Sequence, residues 1–145
     1  MRKHCSGPGP LAGQSVVEFA LASLLLMTLL FGTIDLGRAV FDRAMLTNAV
    51  REAGRYAAVN PSDSTGIVAA AQARSPGLGL TAANFTIACA TYDYSTSAWT
   101  TEACSAAQPA DRVTVSVTYT FSFTAARLVG LSRITMRDQS QVGVQ

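Results

Sequence analysis

Charged residues and histidine are both scarce in this sequence. Asp, Glu, Lys and Arg make up 14% of its 145 residues, against about 25% in typical soluble domains, and this shortage fits a chain that lies partly in lipid. The one histidine is His4, so the rest of the chain has no imidazole for a catalytic triad or a zinc site. The acids form no pair with distinctive neighbours. We therefore predict a protein that is not an enzyme and has no catalytic, cofactor-binding or metal-binding residues.

Acidic residues are missing from the segment before Gly13, where Arg2 and Lys3 lie. With those two set aside, nine of the eleven Lys and Arg residues remain, and they equal the nine Asp and Glu residues. Positive charge ahead of an apolar segment predicts a cytoplasmic amino terminus and an exported carboxyl-terminal part. A neutral exported part has no electrostatic footprint for nucleic acid, so we predict no nucleic-acid partner.

A long apolar run follows. Residues 13–34, GQSVVEFALASLLLMTLLFGTI, contain a single acid at Glu18, and no charge occurs from Phe19 to Ile34. At about 1.5 Å per helical residue, residues 16–34 extend roughly 28 Å, close to the roughly 30 Å hydrocarbon thickness of a bilayer. The run predicts a membrane-spanning helix that has lipid as a partner.

Glu18 lies where a carboxylate is costly. Its burial would cost on the order of 2.5 to 3.5 kcal/mol at mid-membrane and less near the interface, which suggests a functional partner. A cut after Gly13 would create one, because the new α-amino group of Gln14 would lie four residues before the acid. The first helical turns also favour an anion. The alternative is an acid that reaches the membrane surface in an ordinary signal anchor.

The order of these features resembles the processing site of type IV pilins: a glycine, four residues, a glutamate and a phenylalanine that lead into an apolar run. Over Gly13 to Asn60, which include VVEFAL, FGTIDLGR and NAVREAGRYAAVN, the chain resembles the TadE-like family of minor pseudopilins from Tad (tight-adherence, Flp-type) type IV pilus systems. Ser23 stands where the family usually has a proline, so a helix kink is not implied there.

The resemblance implies a route of maturation and assembly. Prepilin peptidase would cut between Gly13 and Gln14. Glu18 and Phe19 would then act in assembly with other pilin and pseudopilin subunits and with the Tad assembly platform. The protein would cross the bacterial cytoplasmic membrane once, with its amino terminus in the cytoplasm and its carboxyl-terminal domain outside, and could later enter the pilus.

Two other functional interpretations remain. One is a signal-anchored surface protein whose outer domain binds a ligand or adhesive target without entering a filament. The other is a secreted protein that loses a signal peptide, but residues 35–38, DLGR, follow the apolar core where a small-residue cleavage site would be expected.

Helical spacing continues beyond the apolar run. Apolar residues recur at intervals of three and four, which predicts one helix from Gln14 to Val59, about 69 Å long. Asn60-Pro61 ends it, because the residue before proline disfavours helical dihedrals. The segment PSDSTG then predicts a turn and a cap for a short helix through IVAAAQAR; the candidate caps are Ser62, Asp63, Ser64 and Thr65.

A period of two marks the rest of the chain. It predicts strands over 85–94, 113–123 and 133–141, with a long connection at 95–110 and a turn or short helix at 125–132. In the middle strand Val and aromatic residues alternate with Ser and Thr, which predicts one packed face and one wet face. Ile134 and Met136 should point inward.

These elements predict an α+β, pilin-like fold in which a small antiparallel sheet packs against the helix. Three strands alone form a marginal sheet, and the apolar stripe of residues 44–59 can cover it. The predicted divisions are a leader at 1–13, a TadE-like transmembrane and amphipathic helix at 14–60, and an exported α+β domain at 61–145.

Three groups of side chains beyond the membrane segment allow two interpretations each. Cys89 and Cys104 either form a disulfide in an oxidising compartment or stay as buried thiols. The aromatic residues between them either contact a partner or cover the sheet. Alternating charges just beyond the membrane segment either set the register between subunits or form a solvated collar. The aromatic residues are Tyr92, Tyr94 and Trp99, and the charges are Asp35, Arg38, Asp42 and Arg43.

Overall fold

The structure, a computed structural model, describes residues 13–125, 130 and 132–145. The predicted leader, apart from Gly13, lies outside the described residues, as do residues 126–129 and 131 of the predicted turn before the last strand. The elements are helix α1 (Gln14–Val59), helix α2 (Ser64–Arg74), a 3₁₀ turn (Ala82–Asn84), and strands β1 (Phe85–Asp93), β2 (Ala98–Glu102), β3 (Arg112–Ser122) and β4 (Arg133–Gly143).

Helix α1 is unbroken over 46 residues, as the sequence predicted. Ser23 lies inside it and donates its hydroxyl to the Ala20 carbonyl at 3.0 Å. The helix ends at Asn60, whose N–H donates to the Tyr56 carbonyl at 2.9 Å. Pro61 favours this end, because it disfavours helical dihedrals at the residue before it.

Asp63 caps α2 and ties it to α1. One carboxylate oxygen accepts the Gly66 N–H at 2.9 Å, and the other accepts the Tyr56 hydroxyl at 2.7 Å. Both hydrogen bonds favour the ionised carboxylate and hold the pKa of Asp63 below its ordinary value. Of the four candidate caps the chain uses Asp63, so α2 begins at Ser64, earlier than the predicted IVAAAQAR segment.

The strands form one antiparallel sheet in the order β2-β1-β3-β4. Cys89 on β1 lies opposite Val113 on β3, and Val117 on β3 lies opposite Asp138 on β4. A long amino-terminal helix with an antiparallel sheet packed against it confirms the predicted α+β, pilin-like layout. The sheet has four strands where three were predicted.

Strand β2 is the strand that was not predicted. The sequence predicted an irregular connection there, and this prediction was wrong for residues 98–102. Asp93 Oδ1 accepts the N–H and the hydroxyl of Ser95, and this turn leads the chain back along β1. Trp99 then lies opposite Tyr92. Pairing with β1 makes this segment a strand, because strand preference depends more on neighbours than on local composition.

The core lies between the sheet and the second half of α1. Most facing side chains of α1 are small, so the helix approaches the sheet closely. At Gly54 a Cβ atom would lie 2.5 Å from Ser140 Oγ and 3.0 Å from Ser140 Cβ, which leaves room only for glycine. The fully buried residues of this contact are Leu46, Ala49, Val50, Ala53 and Ala57 of α1 and Val113, Val115, Val117 and Phe121 of β3.

Strand β4 is only partly covered. Met136 and Ile134 both lie on the α1 side of the sheet, as predicted, and Ile134 is opposite the buried Phe121. Met136 is buried, whereas Ile134 remains 40% exposed. Because β4 is an edge strand, Ile134 has a neighbouring strand on one side only.

Candidate functional site

The first half of α1 presents an apolar surface that no other described part of the chain covers. Its most apolar 18-residue window has a mean hydropathy of 2.0 and none of it is buried. Within the described residues, α1 is the one helix long and apolar enough to span a membrane, which suggests membrane anchoring. The large side chains that form this surface are Val16, Val17, Phe19, Leu21, Leu24, Leu25, Leu26, Met27, Leu29, Leu30, Phe31 and Ile34.

The predicted processing and assembly residues lie at the amino-terminal end of this surface. Gly13 precedes the helix and its carbonyl accepts the Val17 N–H at 3.2 Å, while Gln14 is the first helical residue. Phe19 is 74% exposed. In the described part of the chain no group forms a hydrogen bond or ion pair with Glu18. The described residues therefore offer Glu18 no charge partner within its own chain.

Asp35 joins α1 to the end of β3. Its side chain is 5% exposed, and its Oδ2 accepts the backbone N–H groups of Thr124 at 3.0 Å and Ala125 at 2.7 Å. Arg38 lies 3.7 Å from Asp35 Oδ1 and donates to the Thr124 hydroxyl at 3.0 Å. The interpretation of these charges as a solvated collar is therefore wrong for Asp35, which is buried and bound to the sheet.

Asp42 and Arg43 extend this contact along α1. The Tyr119 hydroxyl donates to Asp42 at 3.2 Å, and Arg43 donates to the Arg137 carbonyl at 2.7 Å. Burial raises the pKa of Tyr119, and the nearby Asp42 charge adds to the effect. These charges set the register of α1 against the sheet within one chain. Sequence reasoning did not find the contacts because the partners lie 77 and 94 residues away.

Cys89 and Cys104 are joined by a disulfide, with Cα atoms 5.1 Å apart. Cys89 is buried on the α1 side of β1, in contact with the core that contains Val113. The bond therefore ties the segment after β2 to the core of the domain.

The three aromatic residues form a cluster on the opposite side of the sheet. The Tyr92 ring makes edge-to-face contacts with Tyr94 at 5.0 Å and with Trp99 at 5.3 Å between centroids. The Arg112 guanidinium lies 3.9 Å above the Trp99 ring. Tyr94 is 87% exposed and Trp99 is 40% exposed. The cluster thus covers one end of the sheet while leaving aromatic surface open to solvent.

Glu102 and Asp111 form a carboxyl pair that the sequence did not indicate. The Gln108 N–H donates to Asp111 Oδ2 at 2.6 Å, and this backbone hydrogen bond is the main cause that holds the pKa of Asp111 below its ordinary value. Burial, together with the hydrogen bond and charge of Asp111, raises the pKa of Glu102. The pair depends on how the segment between β2 and β3 folds back, which no local signal reveals. Within the described residues, no group of three or more His, Cys, Asp and Glu side chains could hold a metal ion.

Comparison with known proteins gives a family match that covers most of α1. The family described as TadE-like protein matches residues 13–55, a range that contains the exposed apolar surface and most of the stripe under the sheet. No curated protein and no solved structure matches the chain. The matching family is associated with pili and is not known for enzymes. Over residues 13–55 this chain therefore matches the family described as TadE-like protein.

Proposed function

We propose that this chain is a minor pseudopilin of a Tad pilus, matured by prepilin peptidase after Gly13 and assembled through α1. The observation that carries the proposal is the contrast within α1. Its first half is apolar on all sides and uncovered, whereas its second half is buried by the chain's own sheet. A helix that is apolar all round requires lipid or neighbouring helices as its surroundings.

Cleavage would supply Glu18 with a positive charge that no described residue offers it. Removal of the leader frees the α-amino group of Gln14, four residues or about 6 Å of helix rise before the acid. The cation can neutralise Glu18 of the same helix or of a neighbour whose helix is shifted by one turn. Neutralisation removes the cost of holding a lone carboxylate near hydrocarbon, which is about 2.5–3.5 kcal/mol at mid-membrane. Helix association in lipid then becomes favourable.

The proposed location follows from the same features. The leader with Arg2 and Lys3 stays in the cytoplasm, α1 crosses the cytoplasmic membrane once, and the sheet domain lies outside. The disulfide between Cys89 and Cys104 supports an exported domain, because such bonds persist in oxidising compartments. The partners are membrane lipid, prepilin peptidase, other pilin and pseudopilin subunits and the Tad assembly platform, and the sheet domain selects among them.

The amino terminus of the membrane-extracted protein tests the proposal. Intact-mass and amino-terminal mass spectrometry should show a chain that begins at Gln14. A matched Gly13→Leu variant should keep the leader, because a large side chain replaces the small residue at the cut. A wild-type chain that keeps residues 1–13 in a host with an active prepilin peptidase would contradict the proposal and favour a signal-anchored surface protein.

A further inference from the structure

The sheet has one face that α1 covers and one face that no described element covers. We call the second one the outer face. It comprises the even-numbered residues of β1 and β3 and the odd-numbered residues of β2 and β4, as the register requires. Cross-strand neighbours on this face include Thr118 with Arg137 and Ser122 with Arg133. Arg112 lies on the same face, stacked on Trp99.

Charge is divided unequally between the two faces. The outer face has three arginines, Arg112, Arg133 and Arg137, and no carboxylate at any strand position. The strand carboxylates Asp93, Glu102 and Asp138 all occupy positions on the α1 side. Asp138, for example, accepts a hydrogen bond from the Thr47 hydroxyl of α1 at 2.6 Å. Among the described residues no carboxylate forms an ion pair with the three arginines.

Each of these arginines lines a shallow open depression beside hydroxyl or amide side chains. Arg133 lies with Thr120 and Ser122 at a depression of about 420 Å³. Arg137 lies with Ser116 and Thr118 at one of about 540 Å³. Arg112 lies with Trp99 and Gln141 at one of about 290 Å³. Carboxylates that reach the last two, Asp138 and Asp111, are already engaged by the Thr47 hydroxyl and the Gln108 N–H.

We propose that the outer face binds an anionic polysaccharide whose acidic groups are carboxylates. A guanidinium matches a carboxylate through two parallel N–H donors, and stacking on Trp99 holds the Arg112 fork in place. The Ser and Thr hydroxyls can donate to and accept from sugar hydroxyls. The exposed rings of Trp99 and Tyr94 offer apolar surface with a polar edge, which suits a sugar ring.

The spacing of the arginines favours this ligand over nucleic acid or an acidic protein. At about 3.3 Å per strand residue, Arg133 and Arg137 lie about 13 Å apart along β4. Arg112, on the neighbouring strand β3, lies about 20 Å beyond Arg137 in the same direction. A nucleic-acid strand carries one phosphate per about 3.4 Å and would leave most charges unmatched. The outer face also lacks the apolar centre of a protein interface. A polymer with one carboxylate per few sugars fits the wide spacing.

The test measures binding of the full chain, in neutral detergent and at low salt, to immobilised hyaluronate, in which only every second sugar carries a carboxylate. The variant R112Q/R133Q/R137Q should bind at least about tenfold more weakly, since three exposed ion pairs of modest strength are lost together. The control R51Q/R55Q/R74Q removes the same charge from α1 and α2 and should change the dissociation constant less than about twofold. Trp99→Ala keeps every charge and should still weaken binding about threefold or more through lost stacking.

Equal effects of the two triple variants would overturn the proposal, as would equal binding to neutral dextran. Tighter binding to single-stranded DNA or to an acidic polypeptide of equal charge would also overturn it. The variants' thermal unfolding midpoints must match wild type. If the triple variant unfolds, Arg133→Gln and Arg137→Gln singly replace it, and each should weaken binding about twofold or more. Detergent-solubilised protein needs no filament, so this result does not depend on the proposed pilus assembly.

Discussion

The two halves of α1 are built for different surroundings. Residues 14–34 carry large apolar side chains on every side, and these stay about half or more exposed in the isolated chain. Residues 44–59 carry an apolar stripe of mostly small residues, which lies under the sheet with Leu46 and Ala53 fully buried. Large side chains fill lipid or a bundle of helices, whereas small ones let the helix lie close to a strand. One continuous helix thus joins two kinds of packing.

The boundary between the halves is a set of polar contacts. Asp35 is the first charged residue after the apolar run, and it is bound to backbone N–H groups just beyond β3. Asp42 and Arg43 hold the sheet about two turns further on. The sheet domain is therefore fixed directly above the apolar half rather than attached through a free linker.

The largest expected effect comes from removing Glu18, the acid in the first half of α1. Glu18→Ala should still be cleaved after Gly13 but should be at least about tenfold depleted from sheared pilus fractions, since a pairing worth 1.4 kcal/mol changes an equilibrium constant tenfold. Immunoblots of membrane and pilus fractions measure both steps. Ser23→Ala is the matched control, because that hydroxyl bonds only within its own helix. Normal incorporation of Glu18→Ala would refute the proposed role of the acid.

The same substitution in each half sharpens the comparison. Leu46→Ala should lower the free energy of unfolding of the sheet domain by about 2–5 kcal/mol, because it opens a cavity in a packed core. Leu25→Ala, on the exposed half, should leave that free energy unchanged. Urea unfolding in detergent, followed by fluorescence of Trp99, the one tryptophan, measures both. An equal loss of unfolding free energy in the two variants would contradict the packing of the two halves of α1 described above.

The boundary can be tested through Asp35. Asp35→Asn should reduce the free energy of unfolding by about 1.5–3 kcal/mol, the range for a hydrogen bond to a charged group. Asp42→Asn, which keeps a polar partner for the Tyr119 hydroxyl, should cost about 0.5–1 kcal/mol. The same urea experiment compares them. A smaller loss for Asp35→Asn than for Asp42→Asn would contradict the view that Asp35 is the main joint.

The smallest expected effect is a change of stability with pH that arises at Glu102 and Asp111. Because the folded state raises the pKa of Glu102, the folded protein loses relative stability as pH rises from the ordinary carboxyl value towards the raised one. Asp111 acts in the opposite sense, since its lowered pKa adds stability that is lost as pH falls through the folded pKa. Glu102→Gln mimics the protonated acid and removes only the first effect.

Thermal unfolding between pH 3 and pH 8 measures this prediction. Glu102→Gln should have a higher unfolding midpoint than wild type at neutral pH, and the two should converge below the ordinary pKa of a glutamate, where Glu102 is protonated in both states. Glu52→Gln is the control, because Glu52 is a partly exposed acid paired with Arg55 at 3.4 Å. A constant difference at every pH would rule out titration of Glu102 as the cause.

Local patterns predicted what depends on local physics. The apolar run, the end of α1 at Asn60-Pro61 and the alternation along β3 all appear in the structure as the sequence indicates. Strand β2 was missed because its hydrogen-bond partners on β1 decide its conformation. Asp35 was misjudged because an acid after an apolar run looks solvated unless the distant N–H groups of Thr124 and Ala125 are known.

The candidate site divides in the same way. Gly13, Glu18 and Phe19 were identified by a resemblance to the processing site of type IV pilins, and the family match covers that stretch. Their roles in cleavage and assembly stay predictions, because they depend on a peptidase and on other subunits. The arginines of the outer face gave no signal, since Arg112 and Arg133 share a face only through the register of β3 and β4.

Strand β4 contacts both β3 and α1, and it is the last element of secondary structure described. Ser140 fits against Gly54, and Asp138 receives the Thr47 hydroxyl. The helical stripe beneath the sheet consequently stays incompletely covered until residue 143 has been added to the growing chain. The domain thus closes late in synthesis, and a truncation that removes β4 should leave alanine and leucine side chains of α1 exposed, which makes the chain a substrate for quality-control proteases.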